Sequence, residues 1–166
     1  SVRFKQLDET IEICRRMRSE DDPHFEGDIF RIEGAAAPPR PELIPPICVG
    51  TSGEQIGIPL AARQADIWNT VWRGSRESLE RKSGVMHKHL ELLGRDPTEI
   101  QFSLTIERAL PDTKSEADDF AALLSELIEL GFEHFVLDFG NPTSAAEADL
   151  FIAEVLTPLR GEFRGS

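Results

Sequence analysis

The segment whose composition best suits anion binding is a run of four small residues after the apolar stretch PPICV: Gly50, Thr51, Ser52 and Gly53. Glycines let backbone N–H groups approach a phosphate closely, and the two hydroxyls add further donors. The same residues also suit an ordinary turn and helix start, with Ser52 and Gln55 at the spacing of a capping box. Pro59 indicates that the following helix begins near that proline, because proline is tolerated only at a helix start.

Further polar residues stand at the ends of three later apolar segments. The segment DIWNTVWRG ends with a group that suits a second phosphate contact: Asn69, Thr70, Trp72 and Arg73. The segments ending in TIER and VLDFGNP supply three residues that could border a substrate: Glu107, Asp138 and Asn141. Arg73 is the strongest cation among them, although a lone arginine is also common on a solvated surface. Asp138 either needs a partner within its apolar strand or caps the GNPTS turn.

The positions of the four histidines in the sequence do not suit a shared metal site. His87 and His89 lie two positions apart on a predicted helix, so their side chains face different directions. His24 lies in a separate segment, and His134 opens a strand at the end opposite the expected site. No nucleophilic serine motif, phosphate-binding Walker loop or CxxC pair is present. We therefore predict no metal ligands and leave the catalytic residues unassigned.

Composition excludes some classes of partner. The chain has 166 residues and a formal net charge of −12, which argues against a nucleic-acid groove or an anionic membrane surface. Cys14 and Cys48 lie in apolar surroundings and are predicted to be buried free thiols. No apolar run reaches the roughly 20 residues that a membrane span needs, and no signal peptide is recognisable. We expect a cytoplasmic protein.

Apolar periodicity predicts the elements that position these residues. Residues 4–18 have a helical stripe, and from residue 47 onward four apolar strands alternate with four helices. Gly94 and Gly131 are predicted to end the second and third of these helices, and Ser115 to cap the third with Asp118. This order predicts a parallel sheet covered by helices.

We predict a single domain over residues 1–166. It comprises a helix (1–20), a hairpin insertion with a Pro-rich connector (21–46) and four β/α units (47–166). Four such units suit a small open sheet or half of a closed eightfold barrel. The half barrel is favoured because the chain opens on a helix and a long insertion precedes the first strand.

Several segments in order resemble the luciferase-like family of flavin- and F420-dependent oxidoreductases. The resemblance runs from about Leu7 to Leu159 and is carried by LDETIEICRRM, HFEGDIFRIEGA, PPICVGTSGEQIGIPLAARQADIWNTVW and KHLELLGRDPTEIQFSL. It implies the C-terminal half of a (β/α)8 barrel. It also implies that the small-residue loop contacts the phosphate end of the cofactor, with Thr51 and Ser52 the best matches. The chain departs from the family pattern at Ile67, where a glycine is usual, and by one extra residue before LAAR.

The resemblance implies an F420-dependent oxidoreductase, with FMN as the alternative cofactor. The family's acid and base groups lie mostly in the other half of the barrel, so no catalytic residue is carried over. Two alternatives remain: a non-catalytic half barrel that binds or assembles, and an unrelated phosphate-binding α/β domain. A half barrel is expected to pair with the missing N-terminal half or with itself, because its strand edges and apolar face are exposed.

Overall fold

The computed structural model describes residues 2–35, 38–39, 41–140 and 144–163. The helices in these residues are α1 (Val2–Ser19), α2 (Gly57–Gln64), α3 (Arg76–Leu93), α4 (Lys114–Glu129), α5 (Ala145–Phe151) and α6 (Thr157–Phe163). The strands are β1 (Phe25–Glu26), β2 (Arg31–Ile32), β3 (Cys48–Gly50), β4 (Ile67–Val71), β5 (Gln101–Glu107) and β6 (His134–Asp138). A 3₁₀ turn spans Pro97–Glu99, and a π-helical segment, Ile152–Leu156, joins α5 to α6.

Strands β3 to β6 form one sheet in chain order, and the pairs β3–β4 and β5–β6 are parallel. Each of these strands is followed by a helix, and β1 and β2 form a separate antiparallel hairpin. This architecture confirms the predicted α/β fold class of four parallel β/α units with a small hairpin insertion. By compactness the chain divides into residues 1–69 with 77–100 and residues 70–76 with 101–166, called unit 1 and unit 2 below.

Unit 1 contains α1, the hairpin, β3, α2, most of β4 and α3. Helix α1 packs against α2. The larger buried apolar side chains of this unit come from its helices, from β3 and β4 and from the residue before β5: Ile11, Val49, Ile58, Leu60, Trp68, Leu79, Met86, Leu90 and Ile100. In α3 the buried positions are seven and four residues apart, which is the spacing of one helical face.

Asp66 fixes the beginning of β3 in unit 1. Its Oδ2 accepts a hydrogen bond of 2.7 Å from the backbone N–H of Ile47. The guanidinium groups of Arg15 and Arg18, both on α1, lie 3.5 and 3.7 Å from the two carboxylate oxygens. Asp66, Arg15 and Arg18 thus connect α1 with the residues that precede β3 and β4. These contacts fix the start of β3 and therefore the position of its carboxyl end.

Side chains of α1 hold the hairpin, and Glu9 makes three of the hydrogen bonds. The carboxylate of Glu9 accepts hydrogen bonds of 2.9, 3.1 and 2.8 Å from the consecutive N–H groups of Asp28, Ile29 and Phe30. Lys5 on the same helix forms a 2.7 Å ion pair with Asp28. Since the hairpin strands have only two residues each, these bonds to α1 are a main source of its order.

Unit 2 is built on the β5–β6 pair, in which Leu104 lies opposite Phe135 and Ile106 opposite Leu137. Aromatic side chains fill much of its interior. The rings of Phe102 and Phe132 are 5.9 Å apart, and those of Phe120 and Phe151 are 5.2 Å apart. Its other buried apolar side chains include Leu104, Ile106, Leu110, Ala117, Leu124, Leu127, Val155 and Leu159.

Two of the predicted helix ends are confirmed and one predicted cap is wrong. Helix α3 is followed by Gly94 at φ +64°, and Gly131 follows α4 at φ +90°, a conformation that favours glycine. The cap of α4 is Thr113 instead of Ser115, and its hydroxyl accepts the N–H of Glu116 at 3.3 Å. The Glu116 carboxylate in turn accepts the N–H of Asp112 at 3.1 Å, which stabilises the earlier start.

The prediction that both cysteines are buried is wrong, because Cys14 and Cys48 are exposed free thiols. In β3 the side chains alternate, so Val49 takes the buried side and Cys48 the opposite one. In α1 the one buried residue is Ile11, and Cys14 lies outside that narrow contact. Among the described residues, no helix has the length and apolar character needed to cross a membrane.

Candidate functional site

The four-residue loop, residues 50–53, begins where β3 ends. Gly50, the last residue of β3, lies opposite Asn69 in the parallel register. A Cβ atom at Gly50 would meet nothing within 4 Å, so the space beside this glycine is open. At this end of a parallel strand, ligands of α/β proteins commonly bind.

Thr51 is held to β4 through both of its backbone polar groups. Its N–H donates a hydrogen bond of 2.9 Å to the carbonyl oxygen of Asn69. Its own carbonyl oxygen accepts a hydrogen bond of 3.0 Å from the indole Nε1 of Trp68. Trp68 is 0% exposed, so its ring lies in the core. The backbone N–H of Thr51 is already hydrogen-bonded to β4, so a ligand would contact this residue through its hydroxyl.

The side chain of Thr51 lies against the start of α2. A Cβ atom at Gly57 would be 1.9 Å from the Thr51 Oγ1, so only glycine allows this approach. The same oxygen accepts a hydrogen bond of 3.3 Å from the N–H of Gly53. The Thr51 hydroxyl therefore contacts both the end of the loop, at Gly53, and the start of α2, at Gly57.

Helix α2 begins at Gly57, which confirms the inference from Pro59 that the helix starts later than Ser52. Its N-cap is Ile56, without a side-chain cap hydrogen bond, so Ser52 and Gln55 do not form a capping box at this helix. The N–H of Ile58 donates to the carbonyl oxygen of Gly53 at 2.8 Å, and Pro59 has no N–H. Two of the first three helix positions therefore offer no donor to a ligand.

The predicted residues in the last part of β4 and just after it differ in exposure. Thr70 is 1% exposed, so its hydroxyl is directed into the interior. The N–H of Trp72 donates to the carbonyl oxygen of Thr105 at 2.8 Å, which extends the strand pairing by one residue. Arg73 is exposed, and its guanidinium lies 3.3 Å from the carboxylate of Glu107. Arg73 is therefore an exposed cation with an acidic neighbour.

Glu107 and Asp138 lie opposite each other in the register of β5 and β6, at their carboxyl ends. Both are exposed, so the Asp138 side chain does not need a partner within an apolar interior. The Asp138 carboxylate accepts the N–H of Gly140 at 2.9 Å, as expected of a residue that caps the following turn. A shallow groove is lined by residues 107–109 and 138–140. Asn141 lies outside the described residues.

The structure thus groups the predicted residues by unit. Unit 1 brings residues 50–53 together with Asn69, and unit 2 brings Arg73 together with Glu107 and Asp138. Sequence reasoning missed Gly57, whose lack of a side chain seats Thr51, and it missed the indole N–H of Trp68 as a loop partner. The one available signal was the glycine just before Ile58-Pro59, at the expected helix start. Among the described residues, no three His, Cys, Asp or Glu side chains form a group that could hold a metal ion.

These features define a parallel α/β protein with a small-residue loop at the carboxyl end of its first parallel strand. A family model described as luciferase-like monooxygenase matches residues 2–154, which is most of the chain. The chain therefore belongs to the luciferase-like monooxygenase family, as the sequence motifs predicted. No curated protein sequence gave a significant match.

Two solved structures share this fold. One is an F420-dependent secondary alcohol dehydrogenase in complex with an F420-acetone adduct, with a TM-score of 0.80, 17% identity, and coverage of 93% of this chain and 62% of that chain. The other is the monooxygenase RslO1 from Streptomyces bottropensis, with a TM-score of 0.64, 18% identity, and coverage of 92% of this chain and 60% of that chain. At these identities the likeness concerns the fold alone. The chain spans less than two thirds of the length of either protein.

Proposed function

We propose that this chain supplies the cofactor-phosphate-binding part of an F420-dependent oxidoreductase, with FMN as the alternative cofactor. The observation that carries the proposal is the loop at residues 50–53, which follows β3, has open space beside Gly50 and holds Thr51 in one position. Membership of the luciferase-like family supports an oxidoreductase and excludes an unrelated α/β domain. A solved F420-dependent dehydrogenase shares the fold with a TM-score of 0.80 over 93% of the chain, which is compatible with F420.

The residues of the loop fit a phosphate group in part. The hydroxyls of Thr51 and Ser52 would donate to phosphate oxygens, and the glycines on either side would admit the phosphate close to the backbone. The start of α2 contributes less than a regular helix N-terminus, because Ile58 and Pro59 provide no free donor. When bound, F420 or a flavin supplies the hydride or oxygen chemistry, and the protein orients it.

In this proposal the remaining predicted residues have separate roles. Asn69, which lies in unit 1 with the loop, would flank the cofactor. Trp72 and Arg73 lie in unit 2 and stay predictions as cofactor contacts, and the Arg73 guanidinium is paired with Glu107. Glu107, Asp138 and Asn141 would border the substrate. Thr70 contributes to the interior instead, since its side chain is buried.

Binding of F420 and FMN to the chain tests the proposal directly, through the intrinsic fluorescence of each cofactor. We expect saturable binding of F420 that is tighter than that of FMN. The double variant Thr51→Val with Ser52→Ala should weaken binding at least about tenfold, because two hydrogen bonds to a charged group are lost. Thr10→Val, an exposed threonine of α1, is the matched control and should bind as the unaltered chain does. Absence of binding to either cofactor would refute the proposal.

A second candidate is a non-catalytic module that pairs with another chain. It is favoured by the β6 edge of the sheet, where the side chain of Val136 is 44% exposed. Light scattering after size-exclusion chromatography distinguishes the two. A stable dimer that binds neither cofactor would support the module, and a monomer that binds F420 would support the enzyme part.

A further inference from the structure

We infer that Trp68 is a positioning residue for the cofactor loop and acts through the carbonyl group of Thr51. The inference rests on the proposed function of residues 50–53. It goes further because it assigns the geometry of the loop to a side chain that is buried and cannot touch the ligand. The geometry that supports it lies entirely within unit 1.

The indole N–H of Trp68 bonds directly to the loop. The indole has a single polar hydrogen, and Nε1 donates it to the Thr51 carbonyl oxygen at 3.0 Å from a side chain that is 0% exposed. The ring is held by the core, so the donor cannot follow the loop if the loop moves. A buried N–H without an acceptor is unfavourable, so the indole N–H favours loop conformations in which the Thr51 carbonyl points at it.

The planar peptide group extends the effect of this bond to the N–H of Ser52. In a trans peptide the carbonyl of one residue and the N–H of the next point in opposite directions. The Thr51 carbonyl is directed at the indole, so the N–H of Ser52 is directed away from it. Trp68 therefore determines which way the peptide between the two hydroxyl-bearing residues of the loop faces.

Thr51 is also held at its backbone N–H and at its side chain. Its N–H is bonded to Asn69, the residue after Trp68 in β4, at 2.9 Å. Its side chain rests on Gly57, where an added Cβ would approach Oγ1 to 1.9 Å. Trp68 and Gly57 thus hold Thr51 from two sides, and the hydroxyl has one position with respect to the strand end.

The test uses variants that alter Trp68 and Gly57 without touching the loop. Trp68→Phe keeps an aromatic ring in the core and removes the N–H, and Gly57→Ala displaces the Thr51 side chain. We expect both to weaken F420 binding about tenfold, measured through the fluorescence of the cofactor so that loss of the tryptophan does not interfere. The amide signals of residues 50–53 should shift in NMR spectra of the free variants, which reports loop geometry independently of binding.

Two controls separate positioning from general loss of stability. Ile100→Val removes a methyl group from the core of unit 1, and Gly84→Ala adds a methyl group on α3, where nothing lies within 4 Å. Both should bind F420 as the unaltered chain does when measured at a temperature where every variant is folded. If Trp68→Phe fails to fold, Trp68→Tyr, which also has an aromatic ring and lacks the indole N–H, replaces it in the same measurements.

The outcomes are distinct. Weaker binding in the Trp68 and Gly57 variants, with both controls unchanged, supports the inference. If the variants bind F420 as tightly as the unaltered chain, the inference is overturned while the proposed function stands. If the unaltered chain binds neither F420 nor FMN, the proposed function fails and the inference about its loop fails with it.

Discussion

A Cβ atom at Gly27 would lie 2.5 Å from the carboxylate carbon of Glu9, so these two residues fit together only because Gly27 has no side chain. The end of a glutamate side chain is normally free to move aside. Here it is held by three N–H groups of the hairpin, at 2.9, 3.1 and 2.8 Å. Gly27 and Glu9 therefore determine jointly whether the hairpin stays on α1.

We predict that Gly27→Ala releases the hairpin, because the new methyl group displaces the Glu9 carboxylate from its donors. Hydrogen exchange at the amides of Asp28, Ile29 and Phe30 should become faster, by about tenfold or more if one charge-assisted bond is lost. NMR-detected exchange measures the three amides separately. Exchange in α4, which belongs to unit 2, serves as the internal control, and unchanged exchange at the three hairpin amides would contradict the prediction.

A matched pair of glycines tests the effect of backbone conformation. Gly84 lies within α3 at an exposed position with nothing near its absent side chain, whereas Gly131 has φ +90° after α4. Gly84→Ala should raise the free energy of unfolding by about 0.5–1 kcal/mol, because alanine favours the helix. Gly131→Ala should lower it by about 1–2 kcal/mol, because an L side chain is strained there. Urea titrations of both variants give the two signs, and equal effects would show that conformation is not the cause.

The pKa of Asp8 makes a small part of the stability depend on pH. Partial burial acts to raise this pKa, but hydrogen bonds from Arg63 and Gln64 and the charge of Arg63 outweigh it and hold the pKa below its ordinary value of 3.8. Stability from this group is therefore present above pH 4 or so and is lost as pH falls through the lowered pKa. Because the pair is partly exposed, we expect about 1 kcal/mol or less.

Unfolding of Asp8→Asn against pH measures this contribution. The variant should be less stable than the unaltered chain at pH 7, and the difference should vanish by about pH 2. Asp119→Asn, an exposed carboxylate of α4, is the control. A difference for Asp8→Asn that persists at acid pH would mean that shape, and not charge, is responsible.

Burial raises the pKa of the Cys48 thiol above its ordinary value of 9.0. Because the thiolate is the reactive form, Cys48 should react slowly with disulfide reagents at neutral pH although it is exposed as a residue. In a Cys14→Ser background, the rate of labelling should keep rising beyond about pH 9. A rate that levels off below that pH would contradict the raised pKa.

Much of the fold follows from local pattern. The apolar periodicity of strands and helices predicted the alternating order, and Gly94 and Gly131 predicted two helix ends. Pro59 predicted the late start of α2. These features are set within a few residues of the chain, so the sequence contains all the information they need.

Other features depend on contacts between distant residues. Val49 and Cys48 alternate in any strand, but only the packing of unit 1 decides that Val49 is covered and Cys48 is not. Several residues could cap α4, and Thr113 does so because the Glu116 carboxylate accepts a hydrogen bond from the backbone N–H of Asp112. Glu9 and the hairpin are about twenty positions apart, and no periodic pattern connects them.

The sequence by itself determined the family, the parallel α/β class and the location of the loop at residues 50–53, because motifs and periodicity are local properties. Only the tertiary structure decided how that loop is held. The register that places Gly50 opposite Asn69 brings the indole of Trp68 to the Thr51 carbonyl and directs the Thr51 N–H into the sheet. Such bonds depend on strand register and on the close approach at Gly57, which are set by packing and not by neighbouring residues.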